Sequence, residues 1–509
     1  MHARMCIMTL RNKWLKRVKG SVSGVTRRIL RDNFLGGKSI ANAGVNLPLI
    51  GVPVKIKFEG TLADEEALNA IFFTKGAAGI VPCLGCNVVN KQKGSDRDRD
   101  IAELTEIDPE LVDISCPDIN RIGLRCDDDV WQICDALEEA AGRQRNKRKV
   151  AEIEDGTGIK FDEHSLLFDR ELRPHVSPTG AVIPDPMHIL LSSGIVGKEV
   201  ILFVHQVKKD HDFNVFEGLR AMGEHWQPKV LIFSEKREKS SKETLKAGAS
   251  EILSGYALLR RFIHDNYGAS AQEPHVRSIL LLFQICDDFL LLNKHLPDPE
   301  KEVIRTHLRS LVREYMVAFK EAHGKEKMLF KHHQLLHWVE QHPQLSCFCL
   351  ERKHITAKKC IQNTTKLQHV AKGSLFRMLN QQVRMLENPG WGSALGHNAN
   401  DFPEMARSLG ARKVLIAADL NYKGITMKHG QLVFMDPAKT DLIYIAACLS
   451  IDDEFGLVMR RCQPVSRTQF DSVWQMPTEV QIMHLNSGIN VFPVAFFKFL
   501  PRDRVEVLH

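Results

Sequence analysis

Two cysteines three positions apart, in Pro82-Cys83-Leu84-Gly85-Cys86, constrain this chain more than any other feature. Thiolates at that spacing on a turn can both reach one tetrahedral Zn²⁺, and an adjacent glycine lets the backbone fold closely round the ion. One CxxC supplies half of a structural site, so two more ligands have to come from elsewhere. A redox dithiol is the competing reading, but no thioredoxin-like βαβ pattern surrounds the motif. Two incidental cysteines are the plain alternative. Twelve cysteines in 509 residues, irregularly spaced beside 22 histidines, do not form a secreted disulfide framework and suit a reducing compartment with one metal site.

Three other groups carry chemistry. Asp185 and His188 stand at i and i+3, one helical turn apart, where they can ligate a metal, orient a partner, or simply hydrogen-bond at a helix start. His333 and His337, at i and i+4 in Lys331-His332-His333-Gln334-Leu335-Leu336-His337, also suit a metal. The glutamate of an HExxH protease site is absent there. Asp64 and Glu351 are the carboxylates to consider for Mg²⁺. Asp64 follows an expected strand, and Glu351 opens the basic stretch Glu351-Arg352-Lys353-His354.

Along the chain, Val54, Ile56 and Phe58 alternate with Lys55, Lys57 and Glu59, which predicts a half-buried strand ending near Gly60, followed by a helix over 65–73. Residues 90–165 read as irregular, with a charged tract at Lys91–Asp100 and a basic cluster at Arg143–Lys149 that suits a solvated helix end. Ile189, Val196, Val200, Val204 and Val207 keep helical spacing, as do Ile304, Leu308, Leu311, Tyr315 and Phe319 after the breaker Pro297-Asp298-Pro299. From about 411 short β-rich runs dominate, at Val414–Ala417, Leu432–Met435 and Val491–Phe497.

Apolar residues make up 44% and charged residues 26%, ordinary values for a globular chain, and the net charge is +7. The longest apolar run, Ile279–Leu292, is broken by Gln284, Asp287 and Asp288 and falls short of the roughly 18 residues of a membrane span, so no membrane is expected. The first 31 residues hold nine cations (Arg4, Arg11, Lys13, Lys16, Arg17, Lys19, Arg27, Arg28 and Arg31) and no acid. Such a start is a phosphate-facing surface or a mitochondrial transit peptide.

Taken in order, these motifs resemble the DDE/D transposases of the CACTA (En/Spm-like) group, and more closely the transposase-derived frames of the repetitive type found in protist genomes. The matching series is Asp64; Lys75-Gly76-x-x-Gly79-x-x-Pro82-Cys83-x-x-Cys86; Asp185-x-Met187-His188; Lys331-x-His333-x-x-x-His337; and Ser346-Cys347-Phe348-x-x-Glu351-Arg352-Lys353-His354. It spans about residues 10–385.

The resemblance implies an α+β fold: an incomplete RNase H-like core with a large helical insertion, then a small β-rich C-terminal domain. Residues 1–90 would hold basic helices, a core strand and the CxxC segment. The irregular charged insertion would be 91–165, the Asp185/His188 segment 166–210 and the helical insertion 211–345. A closing helix with Glu351 at 346–385, a linker at 386–410 and a β-barrel-like domain at 411–509 complete the division.

In that family three carboxylates hold two divalent metals that cut DNA phosphodiesters. By resemblance Asp64 is the second carboxylate and Glu351 the third, and Cys83 and Cys86 hold structural zinc together with His188. The first carboxylate belongs on a core strand upstream of Asp64, where Asp32 is the only aspartate, inside a basic helical stretch, and Glu59 lies on the second-carboxylate strand itself. The expectation is a catalytically degenerate remnant whose frame begins inside the core, using Mg²⁺ or Mn²⁺ only with a complete triad.

DNA is then the expected partner, with no small-molecule substrate, and self-association is left open. Contacts would come from Arg11, Lys13, Lys16, Arg17, Lys19, Arg27, Arg28, Arg352 and Lys353. The expected location is nuclear, with the mitochondrion as the alternative. The competing function is a zinc-stapled, non-enzymatic scaffold that binds nucleic acid or protein.

Overall fold

The computed structural model describes residues 17–46, 52–90, 113–142, 146–224, 231–268, 272–292, 298–341, 394–395, 399–422, 425–436, 439–452, 454–467, 471–485, 492–493, 496–500 and 503–508. Within these residues the chain is a mixed α+β protein with a predominantly helical part up to 341 and antiparallel strands after 394.

Helix α1 (Ser21–Phe34) turns Leu30 and Phe34 inward, and the buried Ser23 hydroxyl accepts the Leu166 amide at 2.7 Å. Strands β1 (Val45–Asn46) and β2 (Pro53–Val54) pair antiparallel. The expected strand over 54–58 does not continue; residues 55–60 carry no strand pairing. The strand that leads to Asp64 is instead β3 (Thr61–Ala63). Gly60 explains the shift. A Cβ there would lie 2.8 Å from Ile183 Cδ1 and 3.0 Å from the Ala181 carbonyl, so glycine lets the chain enter the pairing rather than leave it. Phe58 satisfies its apolar character by packing edge-on against Phe34, at 6.3 Å between ring centroids.

Strand β3 runs parallel to β4 (Val182–Pro184), with Ala63 opposite Pro184. Asp64 and Asp185 therefore leave the carboxyl ends of two neighbouring parallel strands. Among the described residues this is the only parallel pair of named strands, beside one isolated parallel bridge between Val89 and Asp113. Asp64 then caps helix α2 (Glu65–Phe72), its carboxylate accepting the Ala67 amide at 2.7 Å.

The stretch expected to be irregular contains helices α3 (Asp127–Gly142) and α4 (Lys147–Thr157). Val130, Cys134, Leu137 and Ala140 give α3 one buried face, and three aspartates at its start suit the helix dipole. Asn146 caps α4, so the described part of the basic cluster opens that helix. These elements share a core with α1 and α2.

A second, larger core is helical. A π-helical turn at Met187–Leu191 runs into helix α5 (Ile195–His211). Gly194 makes that junction: a Cβ would sit 2.4 Å from the Ile189 carbonyl oxygen. Helices α6 (Val215–Gly223), α8 (Ala249–Tyr267), α9 (Pro274–Leu292), α10 (Asp298–His323) and α11 (Phe330–Gln341) pack round it, while α7 (Glu235–Ser240) has no buried residue. The α10 stripe is as expected, with Leu308, Leu311, Tyr315 and Phe319 buried and Ile304 packed at its edge. The segment Met187–His211 is long and apolar enough to cross a membrane, with mean hydropathy 1.6, unlike the shorter run singled out in the sequence; 67% of its span is buried in the protein.

After 394 the strands form antiparallel sheets. Strands β5 (Ala394–Leu395), β8 (Asp419–Tyr422) and β9 (Ile425–Lys428) make one sheet. The largest follows the order β15 (Gln481–His484), β12 (Glu454–Arg461), β11 (Leu442–Ile451), β10 (Leu432–Phe434), β16 (Phe492–Pro493), with β7 (Val414–Ala417) also on β11 and β6 (Asn400–Asp401) on β7. A four-stranded sheet runs β13 (Gln463–Arg467), β14 (Asp471–Gln475), β18 (Arg504–Leu508), β17 (Phe496–Leu500). Two apolar clusters, round Leu457 and Trp474, belong to this region.

Candidate metal centre

Cys83 and Cys86 lie on a turn whose exit is fixed by backbone pairing. The Asn87 amide donates to the Gly123 carbonyl at 2.9 Å, the Arg125 amide donates to Gly85 at 3.0 Å, and Cys86 bridges Leu124. Helix α11 meets that turn inside the larger helical core, of which Cys86 is a buried member. It is buried on every face from His332 to Val339, with Trp338 packed edge-on against Phe289. One helical turn separates His333 from His337, so both imidazoles point the same way, their centroids 4.6 Å apart.

The result is a four-residue group, Cys83, Cys86, His333 and His337, whose ligand atoms all lie within 4.8 Å of one another. Cys83 Sγ is 3.6 Å from His337 Nε2, and Cys86 Sγ is 3.2 Å from His333 Nε2 and 3.4 Å from His337 Nε2. Tetrahedral zinc bonds of about 2.3 Å to sulfur and 2.0 to 2.1 Å to nitrogen require sulfur-to-nitrogen edges of roughly 3.6 Å. The donor set and its spacing fit a four-coordinate metal.

The electrostatics fit as well. Hydrogen bonding from Cys86 holds the Cys83 thiol well below its ordinary range, while burial pushes Cys86 well up. Burial alone disfavours a charge on His337, but the Cys83 thiolate beside it more than compensates and raises its pKa. Burial lowers His333. Metal ligation needs deprotonated donors, and the shifts of Cys83 and His333 run in that direction. His333 Nδ1 is buried without a hydrogen-bond partner among the described residues, and its ring is oriented by stacking on Phe330 at 5.7 Å. The adjoining cavity, reached past Cys83 and His337, holds only about 40 Å³. Four protein ligands and room for little more than water describe a structural site rather than a catalytic one.

Asp185 and His188 stand outside this quartet. The zinc partners expected from resemblance, Cys83 and Cys86 with His188, are therefore regrouped: the third and fourth donors come from the His333/His337 pair. His188 Nδ1 is 2.5 Å from Asp185 Oδ2, and the His188 carbonyl accepts from Lys331 Nζ at 2.9 Å. The spacing of His333 and His337 was the signal that could have completed the half-site of the CxxC. It was readable as two ligands on one helical face, but only the tertiary fold shows which half-sites meet.

The expected nucleic-acid contacts divide. Arg17, Lys19 and Arg28 are exposed, Arg28 pairing with the exposed Asp32 at 3.0 Å, whereas Arg27 Nε binds the buried Asp169 at 2.6 Å. Lys19, Arg27, Arg28, Arg31 and His164 line one shallow cleft beside α1. Glu351, Arg352, Lys353, Arg11, Lys13 and Lys16 lie outside the described residues. Comparison with protein-family profiles, with curated proteins and with solved structures finds no match for this chain.

Proposed function

We propose that the protein is a zinc-stapled, transposase-derived DNA-binding protein, a remnant of a two-metal strand-cleaving enzyme that binds rather than cuts. The observation that carries the zinc is the buried Cys83/Cys86/His333/His337 group, drawn from two segments about 250 positions apart in sequence. Zinc would pin the CxxC turn, whose Leu84 belongs to the smaller core, to helix α11 of the larger one, with all four side chains as ligands. DNA as the partner is supported by the order of the motifs and by the cations gathered along α1.

The enzymatic ancestry draws support from the placement of Asp64 and Asp185 at the carboxyl ends of neighbouring parallel strands, since strand ends are where metal-binding carboxylates converge in such cores. Their present partners favour binding over cleavage. Asp64 caps α2, and Asp185 accepts from the His188 ring and backbone amide.

The test combines metal analysis with two DNA assays. One zinc per chain is expected, with loss of zinc in Cys83→Ser and His337→Ala. DNA affinity should fall steeply with salt, and replacing Lys19 and Arg28 should flatten that slope by roughly one unit per lost phosphate contact. No Mg²⁺- or Mn²⁺-dependent nicking is expected. Robust nicking abolished by Asp64→Asn would overturn the inactive reading, and a salt-independent or absent affinity would replace DNA with a protein partner.

A further inference from the structure

Arg125 is a guanidinium with only 7% of its surface exposed, yet its hydrogen bonds all go to neutral acceptors. Nε donates to Asn87 Oδ1 at 2.6 Å, and Nη1 donates to the carbonyls of Thr157 at 3.1 Å and Cys83 at 3.4 Å. Its own backbone amide donates to Gly85. Residues 83, 85 and 87, which bracket the metal-binding turn, are thus all held by one side chain and its backbone. A buried cation with neutral partners is costly unless an anion stands nearby.

We propose that Arg125 is the outer-shell cation of the metal centre, a positioning residue that clamps the CxxC turn in ligating shape and offsets the negative charge of its two thiolates. The inference rests on the zinc reading above. Metal ligation concentrates charge on the sulfurs, and a fixed guanidinium behind the turn stabilises that arrangement without entering the coordination sphere. Asn87 is the second half of the clamp, since it fixes the plane of the guanidinium through Nε.

The full-length protein would be loaded with Zn²⁺ in competition with a chromophoric chelator, and with Co²⁺ for its absorption spectrum. Arg125→Met should weaken zinc binding by about 10- to 100-fold, the usual reach of an outer-shell partner. It should also move the sulfur-to-cobalt charge-transfer band to lower energy, because removing the cation makes the thiolates easier to oxidise. A purely structural role would leave that band in place.

Arg125→Lys should shift the band less and weaken binding less, and Asn87→Ala should weaken it several-fold. A folded Arg125→Met with unchanged affinity and band overturns the proposal. If Arg125→Met does not fold, wild-type affinity in both Arg125→Lys and Asn87→Ala overturns it, and several-fold loss in either upholds it. A wild-type protein that takes up neither Zn²⁺ nor Co²⁺ overturns the zinc reading together with this one. A loaded wild type with an insensitive Arg125→Met overturns this one alone.

Discussion

The residues before 342 and those after 393 are held together by contrasting means. In the first region the joins span long stretches of chain: β3 pairs with β4 about 120 positions on, and Cys86 of the larger core, two residues from Leu84 of the smaller core, meets His333, 247 positions away. In the second, the long ladders are built from nearer neighbours: β11 pairs with β12 through eight register positions from Ile443–Arg461 to Ile451–Glu454, and β14 pairs with β18 through five. A region whose parts are joined by distant ligands loses much when the join is cut. A region of local ladders does not depend on it.

The sharpest way to break this contrast is to cut the proposed metal link. Chelation, or Cys83→Ser with Cys86→Ser, would free the closed loop of about 250 residues that a metal on Cys83, Cys86, His333 and His337 would make in the first region. By loop-closure entropy such a link is worth on the order of 5 kcal/mol. Hydrogen exchange should show backbone protection lost over the described segments between 17 and 341 while the β11–β12 and β14–β18 ladders keep theirs. Equal loss in both regions, or none in the first, would sink the contrast.

A smaller effect separates the same regions by pH. Glu199 is fully buried in the helical core, where its carboxylate accepts Ser278 Oγ at 2.5 Å and the Tyr315 hydroxyl at 2.7 Å. Burial pushes its pKa from 4.5 up to about 7, the two hydrogen bonds opposing only part of the shift. The folded state therefore holds this proton more tightly than the unfolded chain. Its stabilising contribution is complete below the unfolded pKa of 4.5 and is lost as pH rises through about 7. The loss amounts to about 3 kcal/mol across that window. Glu199→Gln, which keeps the shape without the titration, should flatten the dependence by that amount in denaturant melts followed from about pH 4.5 to 8. A variant that tracks the wild type at every pH would show that Glu199 does not titrate in the fold.

What could be read beforehand divides along the same line. The α10 stripe and the β runs at Val414–Ala417 and Leu432–Met435 were legible because periodicity is a local property. The CxxC and the His333/His337 pair were each legible as half-sites. Their union was not, because spacing along a helix or a turn carries no information about which distant segment arrives opposite. Resemblance pointed to His188 instead, whose ring is bound to Asp185. The strand before Asp64 was misplaced for a related reason. Alternation at Val54, Ile56 and Phe58 describes any extended segment with one apolar side, whereas pairing depends on Gly60 admitting Ile183 and Ala181, a contact 120 residues away in sequence. Arg125 gave no local signal at all, since a single arginine has no period.

The smallest expected effect lies where the two regions touch. Arg261 on α8 pairs with Asp471 on β14 and stands 4.0 Å from Glu506 on β18. The carboxylate side chains are 11% exposed and the arginine 21%, so the pair is partly shielded from water and worth more than a surface bridge. Arg261→Ala removes a cation from beside two acidic groups that lie diagonally on neighbouring strands, Asp471 opposite Leu508 and Glu506 opposite Val473. The cost should be about 1 to 2 kcal/mol, because water can still reach the rim and relieve part of the charge. It should fall on the contact and not on either core. The β-rich ladders and the helical core then unfold at more widely separated denaturant midpoints, with the m-value of each transition unchanged. If the midpoints stay together, the regions are coupled by apolar packing between α8 and β18 instead. A drop confined to the helical transition would place Arg261 among the groups that hold α8 itself, through its bond to Asp265 at 2.8 Å.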